Sequence, residues 1–298
     1  MTPRVLYITG WTRSGSTLLG NVLGELPGVL HVGEMHYLWK NGILGVGTNS
    51  TCGCGDYIRD CSMWSAILAD SAVGGDPHTV LTLQSKTVRT RHTVRRLLEA
   101  YTGSVCAAKL LGDRIAKIYR HLSKLEGQRL IVDSSKFPAE AALLLGRSDI
   151  EVKVIHIVRD PRATAFSYTK SKSYIESMSP AICSSYWTAF NLASEAVGYC
   201  HPDRYLRVRY EDICADPSSE LTRLLQFAGL PDSVPFIEGS QVDLSVNHTV
   251  TGNPDRFSVG RVTIRSDRRW MNELDSGAKA AATAPALPLL NRYGYKVA

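Results

Sequence analysis

The sequence predicts an α/β fold of three layers, in which a central parallel β-sheet is covered by helices on both faces. Two observations support this prediction. Apolar, β-branched runs recur along the chain, and several are continuous rather than alternating, which is typical of strands buried on both faces. Helical patterns separate these runs, and such an alternation favours a parallel sheet with right-handed crossovers. The predicted strands are residues 4–9, 29–32, 129–132, 152–158 and 205–209.

The predicted helices begin and end at recognisable signals. The first covers residues 16–26 and stops before a Pro-Gly pair, and a proline near the start predicts helices over 138–145 and from Pro161 onward. Further helices are predicted over residues 184–199, 218–228 and, with many basic side chains, 84–101. We expect one domain over residues 1–298, with a mostly helical insertion at about 42–125.

The composition is that of an ordinary globular protein, with 298 residues, 44% of them hydrophobic and 21% charged. The net charge of +6 mildly favours anionic ligands, but no Lys/Arg run is dense enough to indicate nucleic acid. No apolar run reaches the ~18 residues of a membrane span, and the early first strand leaves no room for a signal peptide. Seven cysteines without a regular framework suit a reducing compartment, so a cytoplasmic protein is expected.

A glycine-rich loop, GWTRSGSTLL, follows the first predicted strand at residues 10–19. It almost matches the nucleotide phosphate loop G-x-x-x-x-G-K-[ST], but Ser16 replaces the lysine and a basic residue, Arg13, stands three places earlier. Gly10 and Gly15 would let backbone N–H groups face an anion at the positive end of the following helix. The loop therefore predicts a P-loop NTPase-like fold that binds an anion, with hydroxyl donors from Ser14, Ser16 and Thr17.

Polar clusters also follow the other predicted strands. Ligands of open parallel sheets bind at the carboxyl ends of the strands, so these clusters are expected to converge on one edge with the glycine-rich loop. They comprise Glu34, Asp133-Ser134-Ser135-Lys136, Arg159-Asp160-Pro161-Arg162 and Tyr210-Glu211-Asp212.

The segment Arg13-Ser14-Gly15-Ser16-Thr17 resembles the loop (K/R)-S-G-(S/T)-T with which sulfotransferases bind the 5′-phosphosulfate of 3′-phosphoadenosine 5′-phosphosulfate (PAPS). A second signature of that family is an arginine followed eight residues later by a serine, both binding the 3′-phosphate, and Arg159 and Ser167 match it. The resemblance implies that Arg13 lies over the 5′-phosphate and the bridging oxygen of the breaking S–O bond. It also implies transfer of a sulfuryl group to an acceptor hydroxyl and release of adenosine 3′,5′-bisphosphate (PAP).

Two further segments carry the resemblance with less specificity. Tyr210 resembles the family's tyrosine that contacts the adenosine. Residues 252–270 resemble the C-terminal loop of bacterial members, which closes over the cofactor. Within that loop Arg256 is the first candidate for a phosphate contact, with Asn253, Arg261 and Arg265 as alternatives.

Glu34 is the candidate general base. Residues 27–34 resemble the P-x-V-x-x-G-E pattern of tyrosylprotein sulfotransferases, with one extra residue, and the resemblance implies a catalytic glutamate. To act as a general base, this carboxylate would need a pKa raised by partial burial. His36 is the rival base, because an extended segment would point both side chains to the same side. Lys136 resembles the catalytic lysine of the same enzymes and is expected to neutralise the sulfonate oxygens.

Two other functions remain open at this point. The run RLIVD also resembles a Walker B strand in which Asp133 would ligate Mg²⁺, so an ATP-dependent small-molecule kinase is the alternative. The missing lysine argues against it, and no metal is expected. A non-catalytic nucleotide-binding protein is the third possibility.

For a sulfotransferase, the acceptor is expected to be a small molecule with a hydroxyl. The basic side chains of residues 86–96 would suit an anionic or carrier-bound acceptor.

Cys52, Cys54 and Cys61 form a compact cluster in the sequence. Their spacing is not that of a standard zinc motif, and no fourth ligand is evident nearby. We therefore interpret them as structural thiols or a disulfide rather than as a metal site.

Overall fold

A five-stranded parallel sheet forms the centre of the fold. The computed structural model describes residues 2–47, 49–102, 106–125, 127, 130–169, 176–231 and 237–297. The spatial order of the strands is β2-β3-β1-β4-β5, and every neighbouring pair is parallel. The predicted parallel sheet is therefore confirmed, although Arg129, where the third strand was predicted to begin, lies outside the described residues. The strands are β1 (Arg4–Thr9), β2 (Val29–Gly33), β3 (Leu130–Lys136), β4 (Glu151–Val158) and β5 (Tyr205–Arg209).

Apolar residues on both faces of β1 explain why this strand lies in the middle of the sheet. Because successive side chains of a strand point to opposite faces, Val5 and Tyr7 pack into one apolar cluster whereas Leu6 and Ile8 pack into another. Helices on each side complete the two clusters, and this gives the three-layer arrangement that continuous apolar strands require.

The helices before β3 are α1 (Ser16–Gly24), α2 (Ser62–Leu68), α3 (Ser71–Gly74), α4 (Pro77–Thr87), α5 (Thr93–Thr102) and α6 (Cys106–Leu122). Those that follow are α7 (Pro138–Leu145), α8 (Pro161–Tyr168), α9 (Pro180–Cys200), α10 (Tyr210–Ala215), α11 (Pro217–Ala228), α12 (Trp270–Glu273) and α13 (Ser276–Leu290). Helices α1 and α11 cover the Leu6 side of the sheet, and α6 and α7 cover the Tyr7 side.

The stretch between β2 and β3 is mainly helical, but the single helix predicted over residues 84–101 is wrong. Helix α4 ends at Thr87, a short 3₁₀ turn (Thr90–His92) follows, and α5 begins a new helix. The break is at Val88, whose backbone leaves the helical region (φ −123°, ψ 17°) while its side chain is fully buried. Packing of this valine into the core therefore overrides the local helical pattern.

A second, smaller sheet lies near the C-terminus and was not predicted from the sequence. It is antiparallel, with the order β6-β7-β8, and consists of β6 (Ile237–Glu238), β7 (Gln241–Leu244) and β8 (Gly260–Thr263). The segment between β7 and β8 runs back along β2, where Val250 pairs with Gly33.

Among the described helices, none combines the length and the hydropathy that a membrane-spanning segment needs.

Two buried histidines make the stability of this fold depend on pH. Burial lowers the pKa of His31 to about 3 and the pKa of His156 to about 4, against about 6.5 in an unfolded chain. Because the unfolded chain takes up these protons first as the pH falls, the histidine contribution to the free energy of unfolding is expected to be highest above pH 6.5. It should decrease toward pH 4 by up to about 1.4 kcal/mol per pH unit for each histidine. Burial raises the pKa of Asp133 to about 7, which partly offsets this dependence between pH 4 and 7.

Urea denaturation at a series of pH values between 7 and 5 measures this dependence. His156→Gln should lower the stability at pH 7, since Nε2 of His156 donates to Asn191 Oδ1 (2.7 Å), but it should also make the pH dependence shallower. A variant with the wild-type slope would show that His156 does not titrate on unfolding.

Candidate active site

A cleft of about 990 Å³ opens at the carboxyl edge of the parallel sheet. This volume lies at the upper end of the roughly 300–1,000 Å³ range of ligand pockets. Most of the predicted site residues line it, namely Arg13, Gly15, Ser16, Thr17, Glu34, Lys136, Arg159, Ser167 and Tyr210. Each of the polar clusters that were expected to converge at this edge therefore contributes one residue to the cleft, namely Glu34, Lys136, Arg159 and Tyr210.

Positive charge prevails around the cleft, which favours an anionic ligand. Among the residues that the structure describes, six cationic side chains line it against three carboxylates. The cations are Arg13, Lys40, Lys136, Arg159, Arg265 and Arg269, and the carboxylates are Glu34, Asp255 and Asp267. A hydrogen bond from Arg269 lowers the pKa of Asp267 to about 2, so this carboxylate stays ionised.

The glycine-rich loop has the geometry of an anion cradle. Gly15 precedes the first residue of α1 with a left-handed backbone (φ 90°, ψ 9°). A Cβ at this position would lie 2.3 Å from Cδ2 of Tyr210, so only glycine lets the tyrosine ring approach the loop. The N-terminus of α1 faces the same cleft, and the buried Ser14 hydroxyl has no hydrogen-bond partner among the described residues. Such a helix start attracts a phosphate or sulfate group.

Arg13 connects the loop to two distant parts of the chain. Its Nε donates to Ser167 Oγ on α8 (2.8 Å), and its NH1 donates to Asn253 Oδ1 in the segment before β8 (2.7 Å). The guanidinium therefore lies between the glycine-rich loop and the serine of the predicted 3′-phosphate signature. In this position Arg13 can contact an anion held by either element.

Arg159 follows β4 and also faces the cleft. Its guanidinium donates to the backbone oxygens of Arg13 (3.0 Å) and Asp267 (3.3 Å) and lies over the Tyr210 ring, 4.5 Å from the ring centroid. The Tyr210 hydroxyl in turn donates to the backbone oxygen of Arg265 (3.0 Å). These hydrogen bonds use neutral carbonyl acceptors, so they orient Arg159 without neutralising its charge.

Glu34, directly after β2, and Lys136, the last residue of the neighbouring strand β3, form an ion pair. Lys136 Nζ donates to Glu34 Oε1 and to the backbone oxygen of Ser134 (3.2 Å). The side chains are 7% and 13% exposed for Lys136 and Glu34, respectively. Lys136 has a left-handed backbone (φ 78°), which costs roughly 1–3 kcal/mol for a residue with a side chain. The Glu34 amide donates to the backbone oxygen of Val250 (2.7 Å), so the segment before β8 fixes the position of this carboxylate.

His36 does not share the orientation of Glu34, contrary to the expectation. Residues Met35–Tyr37 form a 3₁₀ turn rather than an extended segment. The His36 ring therefore stacks on Phe137, 4.0 Å between centroids, and Nδ1 donates to Glu140 Oε2 (2.7 Å). Since His36 is not among the residues that line the cleft, the geometry favours Glu34 over His36 as the base.

The expectation that Arg256 contacts a phosphate is also wrong. Its side chain is 1% exposed, and its guanidinium donates to the backbone oxygens of Thr249 (3.0 Å) and Thr51 (2.9 Å). The weaker candidate, Asn253, lines the cleft and binds Arg13. A four-residue 3₁₀ turn, Pro254–Phe257, carries Arg256 away from the cleft and into the core.

Asp133 is not placed to bind a metal in the cleft. The residue is fully buried, and its carboxylate accepts hydrogen bonds from the Tyr119 hydroxyl (2.7 Å) and the Ser135 amide (2.9 Å). Burial raises the pKa of Asp133 to about 7. The resemblance of its strand to Walker B therefore reflects a buried structural carboxylate.

Several lining residues were missed by the sequence analysis. Tyr37, Lys40 and Asn41 belong to the turn and the π-helix (Leu38–Ile43) that follow Glu34, and Tyr168 ends α8. They belong to no motif, because their place in the cleft results from the way the chain turns after β2. The only signal in the sequence was the presence of aromatic residues close to two predicted site residues, with Tyr37 three positions after Glu34 and Tyr168 directly after Ser167.

A model described as the sulfotransferase family matches residues 61–234 of this chain. Among curated proteins, the omega-hydroxy-beta-dihydromenaquinone-9 sulfotransferase Stf3 of Mycobacterium bovis is 29% identical over 136 residues, 42% of this chain. The same values hold for the protein of that name from Mycobacterium tuberculosis. The match spans about a third of the length of these relatives (35%).

Two solved structures resemble the whole chain. The sulfotransferase domain of the Synechococcus PCC 7002 olefin synthase has a TM-score of 0.52 at 21% identity, covering 99% of this chain and 96% of that domain. The sulfotransferase domain from the curacin biosynthetic pathway also has a TM-score of 0.52, at 16% identity, and 99% of each chain is covered. These structures share the fold, and the family model matches more than half of the sequence. The chain therefore belongs to the sulfotransferase family.

Proposed function

We propose that this protein transfers a sulfuryl group from PAPS to a hydroxyl group of an acceptor and releases PAP. One observation carries the proposal: a single cleft contains both anion-binding signatures beside the Glu34–Lys136 ion pair. Membership of the sulfotransferase family supports the same reaction. No metal has a role in the proposed mechanism.

The donor would be held at its two ends. The N-terminus of α1, with Ser16 and Thr17, would bind the 5′-phosphosulfate, as the geometry of the loop favours. Arg159 and Ser167 would bind the 3′-phosphate, and the Tyr210 ring beside them would contact the adenosine. Arg13, which donates to Ser167, would lie between the two ends, where its charge would stabilise the oxygen that leaves the sulfur.

The protein's contribution to the chemistry would be alignment, proton transfer and charge stabilisation. The acceptor oxygen attacks the sulfur, a new O–S bond forms, and the S–O bond to PAP breaks. The acceptor proton passes to the Glu34 carboxylate, which is the carboxylate beside Lys136 in the cleft. Lys136 would orient Glu34 and neutralise the negative charge of the sulfonate oxygens.

The ATP-dependent kinase is not supported as an alternative. Asp133, which would have held Mg²⁺, is fully buried and bound to Tyr119 and Ser135. The position of the phosphate-loop lysine is occupied by Ser16. Membership of the sulfotransferase family also argues against a kinase.

The acceptor would approach Glu34 along the wall formed by Tyr37, Lys40, Asn41 and Tyr168. Burial raises the pKa of Tyr168 to about 12, so this phenol stays neutral and can donate a hydrogen bond. Lys40 would favour an acceptor that also carries a negative charge. The curated relatives are named for a hydroxylated dihydromenaquinone, which is one acceptor to test.

The whole chain would act as one sulfotransferase domain in the cytoplasm. Support for one domain comes from the core, because Trp64, Val88 and Ile115 of the helical insertion pack in the same apolar cluster as Val5 and Tyr7 of β1. The insertion of residues 42–125 would therefore fold together with the sheet.

The first test is release of PAP from PAPS in the presence of an acceptor panel of hydroxylated sugars, phenols, lipids, quinols and tyrosine peptides. We expect turnover with at least one class, and faster turnover with anionic members of that class because of Lys40. Lys40→Met should remove this preference while the neutral acceptors react as before. Mg²⁺-dependent hydrolysis of ATP without use of PAPS would contradict the proposed reaction.

Glu34→Gln is expected to lower turnover by roughly 10²–10⁴-fold, the usual contribution of a general base. PAP affinity, measured by calorimetry, should change little because Glu34 is not proposed to bind the donor. Glu238→Gln is the matched control, since Glu238 lies on the exposed β6 with 74% of its side chain accessible. Full turnover in Glu34→Gln would remove Glu34 from this role.

Arg159→Ala is expected to weaken binding of PAP by roughly 10- to 100-fold, since a hydrogen bond to a charged group contributes about 1.5–3 kcal/mol. Binding of AMP, which lacks the 3′-phosphate, should change much less. Arg91→Ala, at an exposed position, is the control. Equal affinities of the wild-type protein for PAP and AMP would contradict the assignment of the 3′-phosphate site.

A further inference from the structure

Four potential metal ligands converge outside the cleft. The side-chain donor atoms of Cys52, Cys54, Cys61 and His248 all lie within 4.8 Å of one another. His248 Nδ1 is 3.3 Å from Cys61 Sγ and 3.8 Å from Cys52 Sγ. Cys61 and His248 are 187 residues apart in the chain, so the sequence spacing of the cysteines gave no sign of a fourth ligand.

We propose that these four side chains bind a zinc ion in a tetrahedral Cys₃His site. With Zn–S bonds of about 2.3 Å and Zn–N bonds of about 2.0–2.1 Å, neighbouring donor atoms of a tetrahedral site are roughly 3.4–3.8 Å apart. The two distances from His248 are close to this separation. Thiolate and imidazole ligands select zinc over the hard cations Mg²⁺ and Ca²⁺.

A disulfide explains the cluster less well. All three cysteines are free thiols in the structure. A disulfide would join two of them and would not explain why the third cysteine and the His248 imidazole also lie at this point. Convergence of three sulfur atoms and one ring nitrogen on a common point is the arrangement of a closed structural zinc site. The proposed zinc site therefore replaces the interpretation of the three cysteines as structural thiols or a disulfide, which was based on their spacing alone.

The environment of the cluster supplies a compensating charge. Three thiolates, a neutral imidazole and Zn²⁺ carry a net charge of −1. Arg256 is buried nearby and donates to the backbone oxygens of Thr51 and Thr249, which adjoin Cys52 and His248 in the chain. A buried guanidinium needs a nearby negative charge, which a zinc–thiolate centre provides.

The proposed ion would join two segments of the chain. Cys52 and Val250 form an antiparallel β-bridge, the Gly53 amide donates to the Thr249 oxygen (3.0 Å), and Trp64 Nε1 donates to the His248 oxygen (2.7 Å). The zinc ligands are thus supplied by both sides of a small hydrogen-bonded interface between residues 51–64 and 247–253.

This interface lies directly behind Glu34. The Val250 oxygen accepts from the Glu34 amide (2.7 Å), and the Val250 amide donates to the Val32 oxygen (2.8 Å). Gly33 lies so close that a Cβ at this position would be 2.4 Å from the Val250 oxygen. We therefore expect zinc to position the wall of the cleft that carries Glu34. Metal binding does not depend on the proposed function, whereas this effect on Glu34 does.

The test is the metal content of the protein purified without chelators and measured by mass spectrometry of the elements. About one zinc per chain is expected for the wild type, and only a small fraction of that for Cys61→Ser and for His248→Ala. The matched controls Cys106→Ser, Cys200→Ser and His78→Ala change exposed residues and should retain the zinc. A wild-type protein that contains no zinc after expression with added zinc, or one that contains a disulfide within the cluster, would overturn the proposal.

A second measurement covers variants that fail to fold. Cobalt(II) is added to the reduced, metal-free wild-type protein, and thiolate-to-cobalt charge-transfer bands with the d–d bands of a tetrahedral ion are expected, at one equivalent per chain. Zinc should displace the cobalt. Compared with the metal-free protein, the zinc-loaded protein should have a higher thermal midpoint of unfolding and a higher turnover, with little change in PAP affinity. Absence of the tetrahedral spectrum would overturn the metal site, whereas its presence without any sulfuryl transfer would contradict only the proposed function.

Discussion

Parallel pairing of β2, β3, β1 and β4 is the constraint on which the cleft depends. Because these strands all run in one direction, the residues that follow each of them emerge at the same edge of the sheet. Glu34 and Lys136 can form an ion pair only because they lie at the carboxyl ends of neighbouring strands, and Arg13 and Arg159 meet for the same reason. The burial of both faces of β1 anchors this strand in the core, and the glycine-rich loop follows directly from its end.

The charges of the cleft are held in two different ways. Arg13 and Arg159 are oriented by neutral partners, namely a serine hydroxyl, an asparagine oxygen and backbone carbonyls, so their positive charge remains available to an anion. Lys136 instead donates to the Glu34 carboxylate, and its own backbone is in the left-handed conformation. The first arrangement suits ground-state binding of a donor with anionic groups at both ends, and the second suits proton transfer and charge stabilisation during the reaction.

The segment from residues 247 to 253 connects the chemistry to the rest of the fold. It pairs with the end of β2, holds the amide of Glu34, and supplies Asn253 to Arg13. Its other side rests on the cluster of Cys52, Cys54, Cys61 and His248. The cysteines of the helical insertion and residues 247–253 are thus both placed to position Glu34. The insertion would therefore have a structural role in the proposed reaction.

The sequence by itself determined the parallel sheet, the glycine-rich loop, and the residues at the ends of the strands, because these features depend on local apolar periodicity and on motifs of a few residues. Tertiary structure alone decided the break at Val88, the turn that directs His36 to Glu140, and the burial of Arg256. It also brought His248 to the three cysteines. Each of these outcomes depends on packing between segments that are far apart in the chain, and a local pattern contains no information about which distant surface a side chain will meet.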